Sequence, residues 1–159
     1  MDPCSPSARV LLLDDHPAIL RQVAELLPAG FEVVAALQDA TALPDAMDKH
    51  RPDLVVLDIT LPGASGIELA SRLHSASPSG KVVFLTVHDD ADYARAGFAA
   101  GGIGYVVKAR LATDLVPALE AALEGRRFLS RGAAQAELQD EEWADTSSDS
   151  FGSVTTSDM

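Results

Sequence analysis

At 159 residues and 47% hydrophobic content, the chain has room for one ordinary domain, and with only 5% aromatics its core must be filled by aliphatic side chains. The formal net charge is −12, and seven of the 24 acids but none of the 12 Lys and Arg fall in residues 133–159; without clustered cations the sequence argues against direct nucleic-acid binding. Cys4 stands alone, which excludes an internal disulfide, and no apolar run approaches the roughly 18 residues of a membrane span, so a cytoplasmic protein without membrane contact is expected.

Val10-Leu11-Leu12-Leu13 is apolar without a period and predicts a strand covered on both faces, ending in Asp14-Asp15. Pro17 suits the first turn of a helix whose apolar positions, Ile19, Leu20, Val23, Leu26 and Leu27, recur as far as Pro28-Ala29-Gly30. Residues 31–37 form a more mixed strand, expected at an edge, followed by a short helix over about 41–50. The turn Arg51-Pro52-Asp53 leads to Leu54-Val55-Val56-Leu57, a second fully buried strand, which Asp58 ends before Pro62-Gly63 turns the chain.

Ser65-Gly66-Ile67-Glu68 has capping-box spacing and opens a helix with Ile67, Leu69, Ala70 and Leu73 on one side, closed by Pro78-Ser79-Gly80. Val82-Val83-Phe84-Leu85 is the next strand and ends in Thr86. Asp89-Asp90-Ala91-Asp92 then places negative charge at the start of a helix running to about residue 100, in which Gly97 costs up to about 1 kcal/mol and marks the most mobile element. Gly101 to Gly104 read as a turn, and Tyr105-Val106-Val107 as the last strand, ending in Lys108. The final helix is expected from about Thr113, with Pro117 in its first turn, Leu115, Ala118, Leu119, Ala122 and Leu123 inward, and Gly125 as its stop.

Five strands alternating with five helices predict an α/β fold, a flavodoxin-like doubly wound parallel sheet in the order 2-1-3-4-5. The domain is expected over 9–132, between a disordered leader at 1–8 and an acidic, Ser/Thr-rich tail at 133–159 too polar to bury a core.

In a parallel sheet all carboxyl ends share one rim, so Asp14, Asp15, Asp58, Thr86 and Lys108 gather there, with the first and third strands adjacent at the switch point. Singly, each has an ordinary reading: Asp15 as a helix cap, Thr86 as a strand-end hydroxyl, Lys108 as a solvated charge, Tyr105 as a core aromatic. Jointly they form a constellation. Three neighbouring carboxylates repel one another unless a cation lies between them, and an all-oxygen donor set without paired His or Cys ligands favours Mg2+. Beside such a metal, Lys108 and Thr86 would stabilise transfer of a phosphoryl group to Asp58, giving an acyl phosphate. Of the four histidines only His88, two residues after Thr86, is expected near the rim.

Leu12-Leu13-Asp14-Asp15-His16-Pro17, Val56-Leu57-Asp58-Ile59-Thr60-Leu61-Pro62-Gly63, Leu85-Thr86-Val87-His88-Asp89-Asp90 and Gly104-Tyr105-Val106-Val107-Lys108 resemble, in order, the receiver domain of two-component response regulators. The resemblance covers about residues 8–132 and is greatest to receivers that precede a LuxR-like helix-turn-helix, through Gly125-Arg126-Arg127-Phe128-Leu129-Ser130. It implies that Asp58 is the phosphoacceptor, that Asp15, Asp58 and the Thr60 carbonyl hold Mg2+ with Asp14 assisting through water, and that Lys108 binds the phosphoryl group. Thr86 and Tyr105 would be a switch pair, Tyr105 turning inward once Thr86 moves toward the phosphoryl group. Two departures stand out: Ala109-Arg110-Leu111 follows Lys108 where many receivers place a proline, and no helix-turn-helix pattern follows Ser130.

The expectation is therefore a stand-alone receiver, phosphorylated by a sensor histidine kinase or phosphotransfer protein. It would signal through a protein output partner, with a homodimer allowed, and catalyse only its own phosphorylation and dephosphorylation. A phosphorylation-independent adaptor with the same fold is the alternative. A Mg2+-dependent phosphohydrolase is disfavoured because position 60 is Thr, which leaves no acid/base two residues after Asp58.

Overall fold

The computed structural model describes residues 7–76 and 80–130. Six parallel strands, β1 (Ala8–Leu13), β2 (Phe31–Leu37), β3 (Leu54–Leu57), β4 (Lys81–Thr86), β5 (Gly102–Val107) and β6 (Phe128–Leu129), lie in the order 2-1-3-4-5-6. The predicted order 2-1-3-4-5 holds, and the two-residue β6 extends it at the β5 edge by pairing Phe128 with Gly104 and Leu129 with Tyr105. Strand β1 starts at Ala8, one residue before the expected domain boundary. The leader at 1–6, the turn at Pro78-Ser79 and the acidic tail lie outside the described residues.

The helices are α1 (Pro17–Leu26), α2 (Leu43–His50, after a 3-10 turn at Ala40–Ala42), α3 (Gly66–Ala76), α4 (Ala91–Ala99) and α5 (Leu111–Leu123). Alternation along the strands divides the core in two. Leu11, Leu13, Val55, Leu57, Phe84 and Tyr105 pack against Leu43 and Ala46 of α2, Ala70 of α3 and Ala94 of α4. Val10, Leu12, Val56, Val83, Leu85 and Val106 face Leu20 and Val23 of α1 and Leu115, Ala118 and Leu119 of α5. Both faces are covered, which is why the central strands read as unbroken apolar runs.

Two local expectations change, and one glycine gains a packing reason. Gly102 and Gly104 are strand residues rather than a turn: a Cβ at Gly102 would overlap the ring of Phe84, so glycine lets β5 lie against that fully buried side chain. Gly97 has the same cause, since its Cβ would stand 2.9 Å from Phe84 Cε2; it is a packing requirement of α4 on β4. Helix α5 begins at Leu111, which places Pro117 as its seventh residue, in the second turn rather than the first. Between β3 and α3 the Pro62-Gly63 turn forms a two-residue hairpin, Thr60–Leu61 with Ala64–Ser65. Gly66 then sits directly on the Asp58 carbonyl, where no Cβ fits, and its N–H donates to the Ile59 carbonyl at 2.7 Å.

Candidate functional site at the carboxyl rim of the sheet

Asp14 and Asp58 continue β1 and β3 by one residue, the Asp14 N–H donating to the Leu37 carbonyl at 3.1 Å and the Asp58 N–H to the Leu13 carbonyl at 3.0 Å. The sheet ladder thus fixes the backbone beneath both carboxylates, which are 3% and 4% exposed. The Lys108 ammonium, its side chain 10% exposed, reaches across from the end of β5 to 2.8 Å from Asp14 Oδ2 and 3.3 Å from Asp58 Oδ2. Asp58 Oδ1 accepts the Thr60 N–H at 3.2 Å. Three of the predicted strand ends therefore meet in one contact set.

The charges do not balance. Burial pushes the Asp58 carboxyl above its usual range and the charge of Asp14 pushes the same way, while Lys108 and the Thr60 N–H offset only part of this. Burial alone would lower Lys108, but its close ion pair with Asp14 and the charge of Asp58 outweigh it, so the ammonium is held more firmly than usual. Asp14 Oδ2 and Asp15 Oδ1 are buried without a hydrogen-bond partner; the short approach of Lys108 to Asp14 is an ion-pair contact only. One donor atom each from Asp14, Asp15, His16 and Asp58 lies within 4.8 Å of the others. Hard oxygens with unmet acceptor capacity and excess negative charge fit a small divalent cation.

His16 belongs to this corner, contrary to the expectation that only His88 lies near the rim. Its N–H donates to Asp14 Oδ1 at 2.9 Å, and its Nδ1 is 3.0 Å from Asp14 Oδ1 and 3.2 Å from Asp15 Oδ1. It also takes the N-cap position of α1, so the ordinary reading of Asp15 as that helix's cap does not hold. The signal available in the sequence was its place immediately before Pro17.

Thr86 is fully buried, and its hydroxyl accepts the His88 N–H at 3.1 Å. Tyr105 is fully buried too and already points inward, its hydroxyl donating to the His88 carbonyl at 2.6 Å. Burial raises the pKa of that hydroxyl, followed by the charges of Asp90 and Asp89. The His88 ring stacks on Tyr93 of α4 at 4.1 Å, and its Nε2 lies 2.9 Å from Thr60 Oγ1. His88 therefore ties the loop after β4 to the hairpin after Asp58, a role its spacing from Thr86 hinted at. Thr60 is placed beside Asp58 by its N–H, at the exposed start of the hairpin.

Comparisons with known proteins point the same way. The family profile described as "Response regulator receiver domain" matches residues 10–120. The chain is 36% identical over 127 residues to the uncharacterized transcriptional regulatory protein YxjL of Bacillus subtilis, covering 74% of this chain and 55% of that protein. To the transcriptional regulatory protein PdtaR of Mycobacterium tuberculosis it is 33% identical, covering 82% of this chain and 62% of that protein. It thus spans between half and two thirds of the length of these relatives. Among solved structures, a LuxR-family two-component response regulator from Aurantimonas sp. superposes with a TM-score of 0.76 at 38% identity, covering 86% of this chain and 100% of that one. The isolated REC domain of RcsB from Salmonella enterica, solved with the phosphomimetic BeF3−, gives 0.75 at 27%, covering 82% and 98%. No helix among the described residues is long and apolar enough to cross a membrane. On the sequence match, the doubly wound sheet and the acidic rim together, the chain belongs to the response regulator receiver domain family.

Proposed function

We propose that Asp58 accepts a phosphoryl group from a sensor histidine kinase or a phosphotransfer protein, and that the phosphorylated domain signals through protein contacts in the cytoplasm. The observation that carries this reading is a buried carboxylate at the end of the central strand, faced by one ammonium and by two carboxylate oxygens with no hydrogen-bond partner. An Asp58 oxygen attacks phosphorus, the new O–P bond forms as the P–N bond to the donor imidazole breaks, and the imidazole takes up a proton from solvent. Asp15, Asp58 and the Thr60 carbonyl would hold Mg2+, with Asp14 in support; when bound, the ion neutralises phosphoryl oxygens and relieves the repulsion among the carboxylates. Lys108 binds a further phosphoryl oxygen, moving its ammonium from Asp58 toward the new charge. The Thr86 hydroxyl supplies a hydrogen bond once it exchanges the His88 N–H for the phosphoryl group.

The only turnover in this reading is self-catalysed phosphorylation and its slow hydrolysis, and it includes no DNA contact by this chain, whose residues beyond the domain at 133–159 hold no Lys or Arg. The test is incubation with a small acyl-phosphate donor and Mg2+, followed by intact mass. A gain of one phosphoryl group in the parent and none in Asp58→Asn is expected; equal gain in both, or none in the parent, removes the assignment. One observation favours the alternative of a phosphorylation-independent adaptor: Tyr105 is inward, fully buried, with its hydroxyl donating to the His88 carbonyl. Partner capture unchanged by Asp58→Asn would establish that alternative.

A further inference from the structure

After α5 the chain turns back and runs beside β5 as a short strap. The turn is fixed by Gly125 in the left-handed region at φ +79°, with the Gly125 N–H donating to the Ala122 carbonyl at 3.0 Å and the Arg126 N–H to the Ala121 carbonyl at 2.8 Å. The Arg127 guanidinium lies 5.2 Å from the centre of the Phe98 ring on α4, and Phe128–Leu129 form β6. The strap ends at Ser130, a polar residue with no exposed surface at all.

Ser130 can be buried because its backbone N–H and its Oγ both have partners. Its N–H donates to the Tyr105 carbonyl at 2.9 Å and its Oγ accepts the Val107 N–H at 3.1 Å; against the effect of burial, the Ser130 hydroxyl is among the groups that hold the Asp114 carboxyl below the usual carboxylate range. Asp114, itself buried, also accepts from Arg110 Nε at 2.9 Å and from the Thr113 hydroxyl at 3.1 Å. Val107 immediately precedes Lys108, and Arg110 closes the 3-10 turn that Lys108 opens. The backbone amide just before Lys108 is therefore held by Ser130, and the side chain of Arg110, two residues after it, is held by Asp114.

We propose that Ser130 and Asp114 are positioning residues for Lys108, forming a clamp that couples the strap at the end of the domain to the phosphoryl site. The inference rests on the reading that Lys108 binds the phosphoryl group. A lysine places its charge at the end of a flexible four-carbon stem, so the direction in which the backbone launches that stem decides what the ammonium can reach. A satisfied hydrogen-bond network away from water is rigid, and losing one member strands the others. The coupling must also run backward: a phosphoryl group that orders Lys108 stabilises the clamp, and with it the strap, by the same factor by which the clamp favours the ordered Lys108.

The experiment compares the parent with Ser130→Ala, Ser130→Thr and Asp114→Asn by beryllofluoride affinity, Mg2+ affinity, acyl-phosphate labelling and amide exchange. Ser130→Ala is expected to keep Mg2+ affinity and a cooperative melt but to bind beryllofluoride and accept phosphate about ten-fold less well, the size of effect typical of residues that orient a functional group. Ser130→Thr, which keeps the hydroxyl, should recover most of the loss, and Asp114→Asn should fall between. Beryllofluoride should slow exchange at the Val107 and Ser130 amides in the parent. Parent-like beryllofluoride binding and labelling in Ser130→Ala would overturn the clamp, as would a parallel loss of Mg2+ affinity without rescue by Thr, which marks general damage. Exchange over residues 107–111 in the unphosphorylated state is read separately: it should quicken in Ser130→Ala, and if it does not the clamp is wrong whatever the labelling shows. A parent that takes no phosphoryl group would instead defeat the proposed function while leaving that exchange result to decide the clamp.

Discussion

Replacing the central carboxylate should make the metal-free protein more stable. At an effective dielectric of about 20, the carboxylates of Asp14 and Asp15, each within 4.8 Å of that of Asp58, repel it by about 3.5 kcal/mol apiece, about 7 kcal/mol together, and Lys108 at 3.3 Å offsets about 5 kcal/mol, so Asp58 is left unfavourable by about 2 kcal/mol before its burial is considered. Asp58→Asn keeps the shape and an acceptor for the Thr60 N–H while removing the charge. Over about 120 residues at about 2.1 cal/mol/K each, a gain of about 2 kcal/mol raises Tm by roughly 8 °C. The sign with pH follows from the raised pKa: the ionised group is less favourable folded than unfolded, so the gain is complete above the folded pKa, shrinks as pH falls through it, and is gone below the ordinary value of 3.8. Mg2+ should stabilise the parent more than the variant and narrow the gap. Thermal melts of both proteins from pH 7 to pH 3.5, with and without Mg2+, test this; a variant that melts below the parent at pH 7, or a gap that widens in acid, would refute an electrostatically loaded site.

Gly102→Ala should destabilise the domain by about 2 kcal/mol or more, because the new methyl meets a fully buried Phe84, and Phe84→Leu in the same chain should recover part of the loss in urea unfolding. Asp114 has the opposite pKa sign to Asp58: burial would raise it, but hydrogen bonds from Ser130, Arg110 and Thr113 hold it down, so its contribution is present above 3.8 and lost as pH falls through the folded value. Asp114→Asn should therefore cost about 1–3 kcal/mol at pH 7 and approach the parent in acid melts. Tyr105→Phe removes the donor to the His88 carbonyl and should cost about 1 kcal/mol in urea unfolding while leaving labelling of Asp58 intact; no loss of stability would mean that bond is not formed in solution.

The strand ends were legible because the information is local. Runs of three or four apolar residues state that a strand is covered on both faces, and a polar residue directly after each run states what the rim carries, so the sequence alone places Asp14, Asp58 and Lys108 together. Contacts decided by edge pairing carry no such mark. Ser130 meets Val107 across 23 residues only because a two-residue strand docks on β5, and two residues are too few to show a period. Gly102 misled for a related reason: glycine is poor in strands on propensity, and the overriding cause, the ring of Phe84 beneath it, lies on a different strand. His16 escaped because its role depends on a turn that folds an imidazole back over the preceding carboxylates.

The placement of Tyr105 alters what a switch in this domain has to do. If the ring were outside, phosphorylation could draw on the burial of an aromatic side chain to drive the change; here the ring is already buried and its hydroxyl is bonded to the His88 carbonyl. What remains free to change is the loop after β4. It is held by the Thr86 hydroxyl on the His88 N–H, by Tyr105 on the His88 carbonyl, by Thr60 on the ring nitrogen and by Tyr93 against the ring face. A Thr86 hydroxyl that turns to a phosphoryl group on Asp58 gives up the first of these ties, while the other three still centre on the same histidine. With neutral hydrogen bonds worth about 1 kcal/mol each, the loop is poised so that a charge-assisted bond of about twice that strength can move it without disturbing the core. In the proposed switch, the unit that would move is then the segment from Thr86 to Asp90 and the start of α4, with the ring of Tyr105 as the wall against which it moves.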